Sequence, residues 1–344
     1  MAKFLVTGGA GFIGTNLVEH CLAAGHQVVA FDNLWRPGGG AKANCDYLLQ
    51  RYGDDDNFRF VLGDIRDTDA LRNELAGVDR VYHVAAQTAM TTSIEDPLED
   101  FSINAQGTLS VLEAVRGADA DPIMVYTSTN KVFGDLTKRP VALKEEASRW
   151  VFASDEYAAG INQDYPLDFE GPYGCSKGVG DAYCLDYART FGLRVVVFRM
   201  SGIYGTSQRP TEDQGWVAWL TRQALLGQPI TIYGDGKQVR DILFVDDLVR
   251  AFDLACEHIE TTRGQAYTIG GGPANSISLL ELLALLAESF QIEPASIGYQ
   301  DWRRADQKVY ISDVSKAHRD FGWRPEISKQ EGVARLYRWL AQQT

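Results

Sequence analysis

The N-terminal segment decides the fold that the sequence predicts, and residues 3–32 read KFLVTGGAGFIGTNLVEHCLAAGHQVVAFD. The apolar run Phe4–Val6 predicts a buried strand, Phe12–Ala24 carries a helical pattern, and Val28–Phe31 predicts a second strand. Two strands joined by a helix form a βαβ unit, in which the strands are parallel. The glycine-rich stretch before the helix therefore lies at the carboxyl edge of a predicted parallel sheet.

The turn after the first strand has the spacing of a dinucleotide-binding loop. Gly8 allows a tight turn, Gly11 lets backbone amides approach a pyrophosphate, and Gly14 lets the helix pack closely against the strand. Phe12 and Ile13 begin the helix, whose free amides and positive dipole end favour phosphate groups. The turn therefore predicts a dinucleotide cofactor.

The end of the second strand indicates which dinucleotide binds. The carboxylate of Asp32, followed by Asn33, can accept hydrogen bonds from an adenosine ribose and would repel the 2′-phosphate of NADP. We therefore predict NAD. Two alternatives stay open from the sequence: Asp32 could instead cap a turn, and Arg36 on the following loop could pair with a 2′-phosphate.

The next two strands add further cofactor positions. Asp64 ends the third strand and can accept a hydrogen bond from an adenine amino group, while Ile65 packs against the adenine ring. Ala85 and Gln87 follow the fourth strand, where small residues let the backbone lie against the cofactor. His83 also ends this strand, but a histidine within an apolar strand end is more typical of a structural residue than of a catalytic one.

The alternation of strands and helices continues along the chain and predicts an α/β fold, a Rossmann-like doubly wound parallel sheet with a smaller, discontinuous C-terminal α/β substrate domain. We predict that residues 1–200 plus 243–270 form the cofactor domain and that residues 201–242 plus 271–344 form the substrate domain. The further predicted strands are Phe58–Leu62, Arg80–Val84, Ile123–Thr127, Val195–Arg199, Ile230–Tyr233, Gln238–Phe244 and Ala266–Ile269. The further predicted helices are Asp69–Ala76, Asn104–Val115, Ser176–Phe191, Gly215–Leu226 and Leu279–Phe290.

The composition excludes several classes of protein. Of the 344 residues, 45% are hydrophobic, which is enough for a sizeable core, and the net charge of −13 disfavours binding to nucleic acid or to an anionic membrane. The five cysteines form no CxxC pair, so neither a metal site nor a disulfide framework is predicted. The chain shows no signal peptide and no apolar run long enough to span a bilayer, which predicts a soluble, cytoplasmic protein.

Tyr173 and Lys177 are separated by one helical turn and share a face of their predicted helix. A nearby ammonium and a bound nicotinamide cation would lower the pKa of the phenol, so Tyr173 can remove a hydroxyl proton while hydride leaves the same carbon for nicotinamide. Thr129 ends the fifth strand and is expected to share the hydrogen bond to the substrate, with Ser128 as the alternative. The predicted catalytic residues are Thr129, Tyr173 and Lys177.

These motifs, together with residues 104–108 and 198–199, resemble those of the extended short-chain dehydrogenases that act on nucleotide sugars, and the resemblance covers nearly the whole chain. It implies that Asn104 supports the proton relay and that Arg240 and Arg303 hold the substrate diphosphate. Guanidinium groups suit this task in an acidic protein because they bind phosphate in a bidentate manner. The predicted NAD-binding residues are Gly8, Gly11, Phe12, Ile13, Gly14, Asp32, Asn33, Asp64, Ile65, Ala85, Gln87, Asn104, Tyr173 and Lys177.

Residues 87–94, 128–135, 168–178 and 213–217 resemble the CDP-tyvelose (CDP-paratose) 2-epimerases within this family. The related 4,6-dehydratases carry an Asp-Glu pair after the catalytic threonine, whereas this chain has Asn130 and Lys131, which cannot supply the acid and the base that expel water. The resemblance therefore implies redox-neutral inversion at C2 of a CDP-sugar through a transient 2-keto intermediate. CDP-paratose and CDP-tyvelose are the expected pair, with CDP-glucose and CDP-mannose as alternatives, and lipopolysaccharide O-antigen is the expected destination of the sugar.

The expected partner is thus a nucleotide-diphosphate sugar. Trp216 and Tyr233 could stack on its nucleobase or belong to the core. The stretch Trp150–Pro166 lengthens the chain between Thr129 and Tyr173 and is interpreted either as a lid or sugar-pocket wall, or as a surface excursion. The predicted substrate residues are Thr91, Ser93, Thr129, Asn130, Tyr173, Gln214, Trp216, Tyr233, Arg240, Arg303 and Asp306.

Other functions stay open from the sequence alone. A 4-epimerase of UDP- or CDP-hexoses would use the same Tyr173 chemistry with a different sugar pose, a net dehydrogenase would consume NAD, and a dinucleotide-binding sensor would keep the fold without the reaction. The resemblance also implies a homodimer or homotetramer in which the helices Asn104–Val115 and Ser176–Phe191 pair across an axis. Val179, Tyr183 and Tyr187 lie along one side of the second helix.

Overall fold

The computed structural model of the protein describes residues 1–36, 38–136, 139, 141–303 and 306–343, so Arg304 and Ala305 of the motif Arg303–Asp306 lie outside the described residues. Its strands are β1 (Lys3–Thr7), β2 (Gln27–Asp32), β3 (Phe58–Leu62), β4 (Arg80–His83), β5 (Ile123–Thr129), β6 (Leu143–Glu145), β7 (Trp150–Phe152), β8 (Val195–Met200), β9 (Ile203–Tyr204), β10 (Ile230–Tyr233), β11 (Val239–Asp241), β12 (Leu243–Phe244), β13 (Ala266–Ile269), β14 (Ser276–Ser278), β15 (Ile297–Gln300) and β16 (Val309–Tyr310).

The α-helices of the described residues are α1 (Phe12–Ala23), α2 (Gly40–Tyr52), α3 (Thr68–Glu74), α4 (Met90–Glu95), α5 (Pro97–Phe101), α6 (Gly107–Arg116), α7 (Gly171–Phe191), α8 (Trp216–Leu225), α9 (Val245–Glu257), α10 (Ile259–Thr262), α11 (Leu279–Phe290), α12 (Ser315–Phe321) and α13 (Lys329–Ala341). A π-helical segment, Ser102–Gln106, joins α5 to α6. A 3-10 turn, Asn130–Phe133, follows β5.

A seven-stranded sheet in the order β3-β2-β1-β4-β5-β8-β13 forms the centre of the molecule, and every neighbouring pair is parallel. The interior strand β1 places Val6 between Ala30 of β2 and Tyr82 of β4. The strands are apolar along their length because helices cover both faces. This architecture confirms the predicted Rossmann-like doubly wound fold, and it brings the ends of β1, β2, β4 and β5 to one edge.

The two faces of the sheet carry separate cores. On one face α1, α9 and α12 bury residues such as Leu17, Phe252 and Phe321 against the strands. On the other face α3, α6 and α7 contribute residues such as Leu71 and Leu112. The helix α7, which carries Tyr173 and Lys177, is therefore fixed to the sheet by apolar packing of its C-terminal half, where Cys184 and Tyr187 are buried.

Several elements differ from the sequence-based expectations. The helices α2 and α9 were not predicted, and α7 begins at Gly171 rather than at Ser176, because Pro172 is well accommodated in the first turn of a helix. The predicted strand Gln238–Phe244 is divided into β11 and β12, which pair with different strands. Asp241 ends β11, and its buried carboxylate accepts hydrogen bonds from the backbone amides of Gly272 and Ser312.

A second core lies beyond the sheet, where α8, α11 and α13 pack around Ile232, Phe244 and Leu286. The C-terminal segment is not confined to it, since α12 and Trp323 belong to the core under the seven-stranded sheet. The residue boundaries of the two predicted domains stay a prediction. Among the helices of the described chain, none combines the length and the apolar character that crossing a bilayer requires.

The segment Trp150–Pro166 is anchored to the second core region. The Trp150 indole donates to Asp235 at 2.8 Å, and Ile161 exchanges backbone hydrogen bonds with Ile311 and Asp313. Tyr157, Ile161 and Tyr165 are buried in a cluster that includes Phe133 and Tyr310. These contacts favour a packed segment over a surface excursion, and a function as lid or sugar-pocket wall stays a prediction.

The packing of α9 predicts a strong effect of truncating Leu248, which is fully buried there. We expect Leu248→Ala to lower the free energy of unfolding by about 2–5 kcal/mol, because it removes apolar contacts and leaves a cavity. Leu62→Ala, the same substitution at a side chain that is 70% exposed, should change it by less than about 0.5 kcal/mol. Urea denaturation of the two variants measures the difference, and equal losses would contradict the observed packing of α9.

Candidate active site

The glycine turn between β1 and α1 is held against the end of β4. Gly8 has φ of +73°, and a Cβ atom there would lie 2.7 Å from the backbone nitrogen of Ala85. A Cβ atom at Gly14 would overlap the carbonyl oxygen of Gly8. Both positions therefore require glycine, and Gly11, Phe12 and the following residues present their backbone to the space in front of the sheet.

That space is a cleft of about 380 Å³ along the carboxyl edge of β1, β2, β3 and β4. Its size and its bare backbone wall fit a dinucleotide whose phosphates lie at the start of α1. The predicted residues that line it are Gly8, Gly11, Phe12, Ile13, Gly14, Asp32, Asn33, Asp64, Ile65, Ala85, Gln87 and Gln214.

The acidic residues of the cleft differ in their partners. Asp32 accepts hydrogen bonds from the backbone amides of Ala10 (3.1 Å) and Leu34 (2.8 Å). Burial raises the pKa of the Asp32 carboxyl, although these hydrogen bonds act to lower it. Asp32 therefore caps the local turn and lines the cleft, and its contact with the ribose stays a prediction. Asp64 is bound by Arg66 at 2.7 Å and by Asn33 at 2.9 Å, and Arg66 is the main reason that its pKa falls to about 2.

Gln87 connects the cleft to the interior. Its backbone amide donates to Asn104 Oδ1 at 2.9 Å, and Asn104 Nδ2 returns a hydrogen bond to the Gln87 carbonyl at 3.0 Å. Asn104 itself is buried within the π-helical segment, and its Nδ2 also lies 3.1 Å from the Ser176 hydroxyl. Asn104 is thus placed behind the cleft and beside α7, not on the cleft wall.

Tyr173 and Lys177 share a face of α7, as expected, and Thr129 ends β5 beside them. Burial raises the pKa of Tyr173 to about 12, and a hydrogen bond with the Thr129 side chain opposes this rise. Burial lowers the pKa of Lys177 to about 8, and its ammonium lies 4.4 Å from the centre of the Tyr126 ring. In the protein without cofactor Tyr173 is therefore a protonated phenol, and the lowering of its pKa by Lys177 stays a prediction for the NAD complex.

Ser128 points away from this pair. Its hydroxyl donates to Asp181 at 2.7 Å, and Asp181 forms a buried bidentate pair with Arg199 at 2.9 Å. The geometry therefore favours Thr129 over Ser128 as the hydroxyl next to Tyr173. His83 is fully buried between the Thr7 and Thr108 hydroxyls, and burial lowers its pKa to about 3, so its role is structural.

The residues after Thr129 meet the C-terminal region. Asn130 donates to Gln307 at 3.0 Å, and the ammonium of Lys131 lies 3.6 Å from Asp306. Asp306 also accepts a hydrogen bond from Arg240 at 2.6 Å. Burial raises the pKa of Asp306, but the positive charges of Arg240 and Lys131 outweigh it and hold that pKa below its usual value.

A second cationic group lies at the mouth of the cleft. Arg303 forms an ion pair with Asp213 at 3.1 Å, and its guanidinium stands 4.1 Å from the centre of the Tyr233 ring. Gln214, next to Asp213, contacts the Thr88 hydroxyl across the cleft. The structure therefore brings these predicted substrate residues to the same edge as the NAD cleft.

Three predicted substrate residues have other surroundings. Ser93 is buried, and its hydroxyl donates to the backbone oxygen of Met90 at 2.7 Å. Trp216 begins α8 and packs against the second core. Thr91 lies in the short helix α4, next to Thr92, which lines the cleft.

The sequence reasoning missed two members of the site. Asp213 was named only within a motif, and Gln307 was not considered, although it binds both Asn130 and the Gly134 carbonyl. No local pattern marks these residues, because their partners are distant along the chain. Asp213 and Arg303 are 90 positions apart, and Asn130 and Gln307 are 177 positions apart.

The close approach of Gly8 and Ala85 predicts that Gly8→Ala weakens NAD binding by about 10- to 100-fold, because strain and overlap displace the phosphate-binding turn. The matched control is Gly25→Ala. Gly25 has φ of +78°, but a Cβ atom there meets nothing within 4 Å, so the backbone strain is similar and the cleft is unchanged. Calorimetric titration with NAD measures both variants, and equal losses of affinity would refute the role assigned to the turn.

Comparisons with known proteins agree with this geometry. The family model described as the NAD dependent epimerase/dehydratase family matches residues 4–270. CDP-paratose 2-epimerase of Salmonella typhi is 41% identical over 346 residues, which cover 98% of this chain and 99% of that protein.

Solved structures of similar proteins include UDP-glucuronic acid 4-epimerase from Bacillus cereus in complex with UDP-glucuronic acid and NAD, with 28% identity and a TM-score of 0.83 over 99% of this chain and 100% of that chain. DesIV, a dTDP-glucose 4,6-dehydratase from Streptomyces venezuelae with NAD bound, has 31% identity and a TM-score of 0.79 over 99% of this chain and 97% of that chain. The predicted NAD cofactor and the predicted class, an NAD-dependent nucleotide-sugar epimerase, are confirmed. The chain belongs to the NAD dependent epimerase/dehydratase family of extended short-chain dehydrogenases.

Proposed function

We propose that the protein inverts C2 of a CDP-sugar, with CDP-paratose and CDP-tyvelose as the substrate pair, through a transient 2-keto sugar. The observation that carries the proposal is that Asn130 and Lys131 directly follow Thr129, whose side chain is hydrogen-bonded to Tyr173. The CDP-paratose 2-epimerase of Salmonella typhi, similar over its whole length, supports the choice of sugar and base.

Tyr173 and Thr129 hold the sugar hydroxyl in this proposal. Thr129 shares its hydrogen bond with Tyr173, so one hydroxyl of the sugar can contact both side chains and lose its proton to Tyr173. The residues that line the cleft would hold NAD, which would supply the acceptor for hydride from the same carbon and the donor that returns it to the opposite face of the ketone, so the net redox state would be unchanged. Lys177 is buried beneath this site, where its charge stabilises a phenolate.

Water elimination is disfavoured by the same residues. Expulsion of a hydroxide from the sugar needs a carboxylic acid to protonate the leaving group and a base to remove a proton from carbon. Asn130 is an amide engaged by Gln307, and Lys131 is a cation near Asp306. The site therefore supports hydride transfer without the dehydration that the related 4,6-dehydratases perform.

The substrate diphosphate is assigned to Arg240 and Arg303. Both guanidinium groups lie at the site edge and are paired with carboxylates, Asp306 and Asp213. An anionic substrate must meet placed cations in a protein of net charge −13. We propose that the diphosphate takes the place of Asp213 at Arg303, with Tyr233 beside the nucleobase.

A 4-epimerase is the second candidate function. The Bacillus cereus structure, similar over its full length, is a 4-epimerase of a UDP-sugar. The Tyr173 chemistry would be identical, and only the orientation of the sugar ring would differ.

Product analysis tests the assignment. The purified protein is incubated with CDP-paratose, CDP-tyvelose, CDP-glucose and UDP-glucose, and the products are identified by NMR while NADH is followed by absorbance. Inversion at C2 of a CDP-sugar without net NADH is the expected result. Inversion at C4 would replace the proposed substrate, stoichiometric NADH would indicate a dehydrogenase, and no turnover of any sugar would support a non-catalytic sensor.

The role of Tyr173 predicts the effect of removing its hydroxyl. Tyr173→Phe should lower kcat by about 10²- to 10⁴-fold, because the proton acceptor is lost. The matched control is Tyr183→Phe on the same helix, whose side chain is 42% exposed and which should keep kcat. Both variants are expected to retain NAD, and full activity of Tyr173→Phe would overturn the mechanism.

We also propose a homodimer or homotetramer formed through α6 and α7. Tyr183 and Phe191 lie on α7 with 42% and 49% of their surface exposed, and Tyr187 packs between them. Aromatic side chains of this kind are enriched at interfaces. The cytoplasmic location stays a prediction.

A further inference from the structure

A buried carboxylate that has no role in the mechanism above lies next to the catalytic pair. Asp100 is on α5 and is 1% exposed, and Asn104 joins it to the hydroxyl of Ser176, the residue before Lys177. At this position its negative charge acts to raise the pKa of Tyr173 and of Lys177. A buried carboxylate costs free energy unless partners compensate it. Its position between the cofactor cleft and α7 therefore calls for a functional explanation.

The partners of Asp100 belong to the active site. Its Oδ1 accepts hydrogen bonds from Gln87 Nε2 at 2.9 Å and from Asn104 Nδ2 at 3.1 Å. Gln87 lines the NAD cleft, and Asn104 reaches the Ser176 hydroxyl. Asp100 thus joins the cleft wall to the helix that carries the catalytic pair.

The second oxygen, Oδ2, is buried and receives no hydrogen bond of good geometry. The Ser176 hydroxyl lies close enough to favour the charged carboxylate, but it donates its single proton to the Tyr173 carbonyl at 3.2 Å. Oδ2 therefore keeps no hydrogen-bond partner, and Lys177 is the cation whose charge favours the ionised form of this carboxyl.

Other charges around Lys177 are already compensated or neutral. Asp181, one turn further along α7, is neutralised by its bidentate pair with Arg199. The titratable and charged groups that face the catalytic pair from its own helix and from the neighbouring elements are Asp100, Asp181, Cys184, Tyr126, His83, Lys131 and Arg199. Burial keeps His83, Tyr126 and Cys184 neutral. Among the described groups named here, Asp100 is therefore the anion that forms no ion pair with a cation.

We propose that Asp100 is a positioning residue whose buried negative charge keeps Lys177 in its ammonium form and opposes release of the Tyr173 proton in the absence of cofactor. A negative charge stabilises a nearby cation and destabilises a nearby phenolate. The positive nicotinamide ring acts in the opposite direction on Tyr173. Asp100 thereby restricts formation of the reactive phenolate to the loaded enzyme, and the inference rests on the proposed function only in taking Tyr173 and Lys177 as the catalytic pair.

The test titrates Tyr173 directly and uses no sugar. Tyrosinate absorbance of the protein is recorded against pH with and without NAD, and subtraction of the Tyr173→Phe protein in the same state isolates the signal of Tyr173. In Asp100→Asn, which keeps the Oδ1 acceptor and loses the charge, this titration should move to lower pH. Asp100→Glu should restore it towards the wild-type curve.

The matched control is Glu95→Gln, which removes the same charge from an exposed position on α4 and should reproduce the wild-type curve. If Asp100→Asn also reproduced the wild-type curve, the Asp100 carboxyl would either be neutral or have no effect on the titration of Tyr173. Either outcome would overturn the proposal. Failure of the wild-type protein to epimerise CDP-sugars would instead remove the proposed substrate and leave this titration valid.

A second measurement remains decisive if Asp100→Asn does not fold. Lys177 opposes the rise in the Asp100 pKa that burial causes, so carbon NMR of labelled aspartate should show the Asp100 carboxyl titrating at higher pH in Lys177→Met than in the wild-type protein. An unchanged carboxyl titration would show that the two charges do not interact and would overturn the proposal.

Discussion

The arrangement of the site depends on how closely the backbone at Gly8 approaches the backbone at Ala85. A side chain at Gly8 would lie 2.7 Å from the Ala85 nitrogen, so the turn after β1 can pass the end of β4 only without one. Because β1 is hydrogen-bonded between β2 and β4, this contact fixes three strand ends relative to each other. The cleft wall is consequently bare backbone, which suits a pyrophosphate.

Buried ion pairs connect this cofactor edge to the remainder of the chain. The pair between Asp181 and Arg199 ties α7 to β8, and Arg199 also donates to the Gln163 carbonyl in the segment before α7. Burying two opposite charges costs hydration free energy, which their attraction offsets only when the hydrogen-bond geometry between them is good. The bidentate pair meets this requirement, so the helix that carries Tyr173 and Lys177 has one position on the sheet.

Ion pairs also hold the cationic side chains at the edge of the cleft where the substrate diphosphate is proposed to bind. Lys131 and Arg240 share Asp306, and Arg303 pairs with Asp213. These carboxylates hold the cations in place by charge attraction, and a substrate diphosphate would compete with them. Under the proposed assignment of the diphosphate, binding of the nucleotide sugar would displace Asp213 from Arg303 at the mouth of the cleft.

Local patterns were sufficient for the parts of the site that depend on neighbours in sequence. The glycine spacing and Asp32 identified the cofactor turn, and the four-residue spacing of Tyr173 and Lys177 placed both on one helix face. The same reasoning missed α2, which packs only a few small and apolar residues such as Ala41 and Cys45, and therefore lacks a strong apolar stripe. It placed Asn104 in an ordinary helix, whereas a π-helical segment turns its side chain towards Gln87.

The sequence by itself determined the doubly wound sheet and the preference for NAD, because periodicity and turn glycines act over a few residues, and it predicted proton transfer at Tyr173. Only the tertiary structure decided that Thr129 rather than Ser128 lies beside Tyr173, that Asn130 meets Gln307, and that Asp100 lies behind the catalytic pair. These contacts join residues up to 177 positions apart, and packing of the sheet, α5 and α7 brings them together. Burial then sets their charges, since the pKa of a side chain depends on the water and the partners that the fold leaves around it.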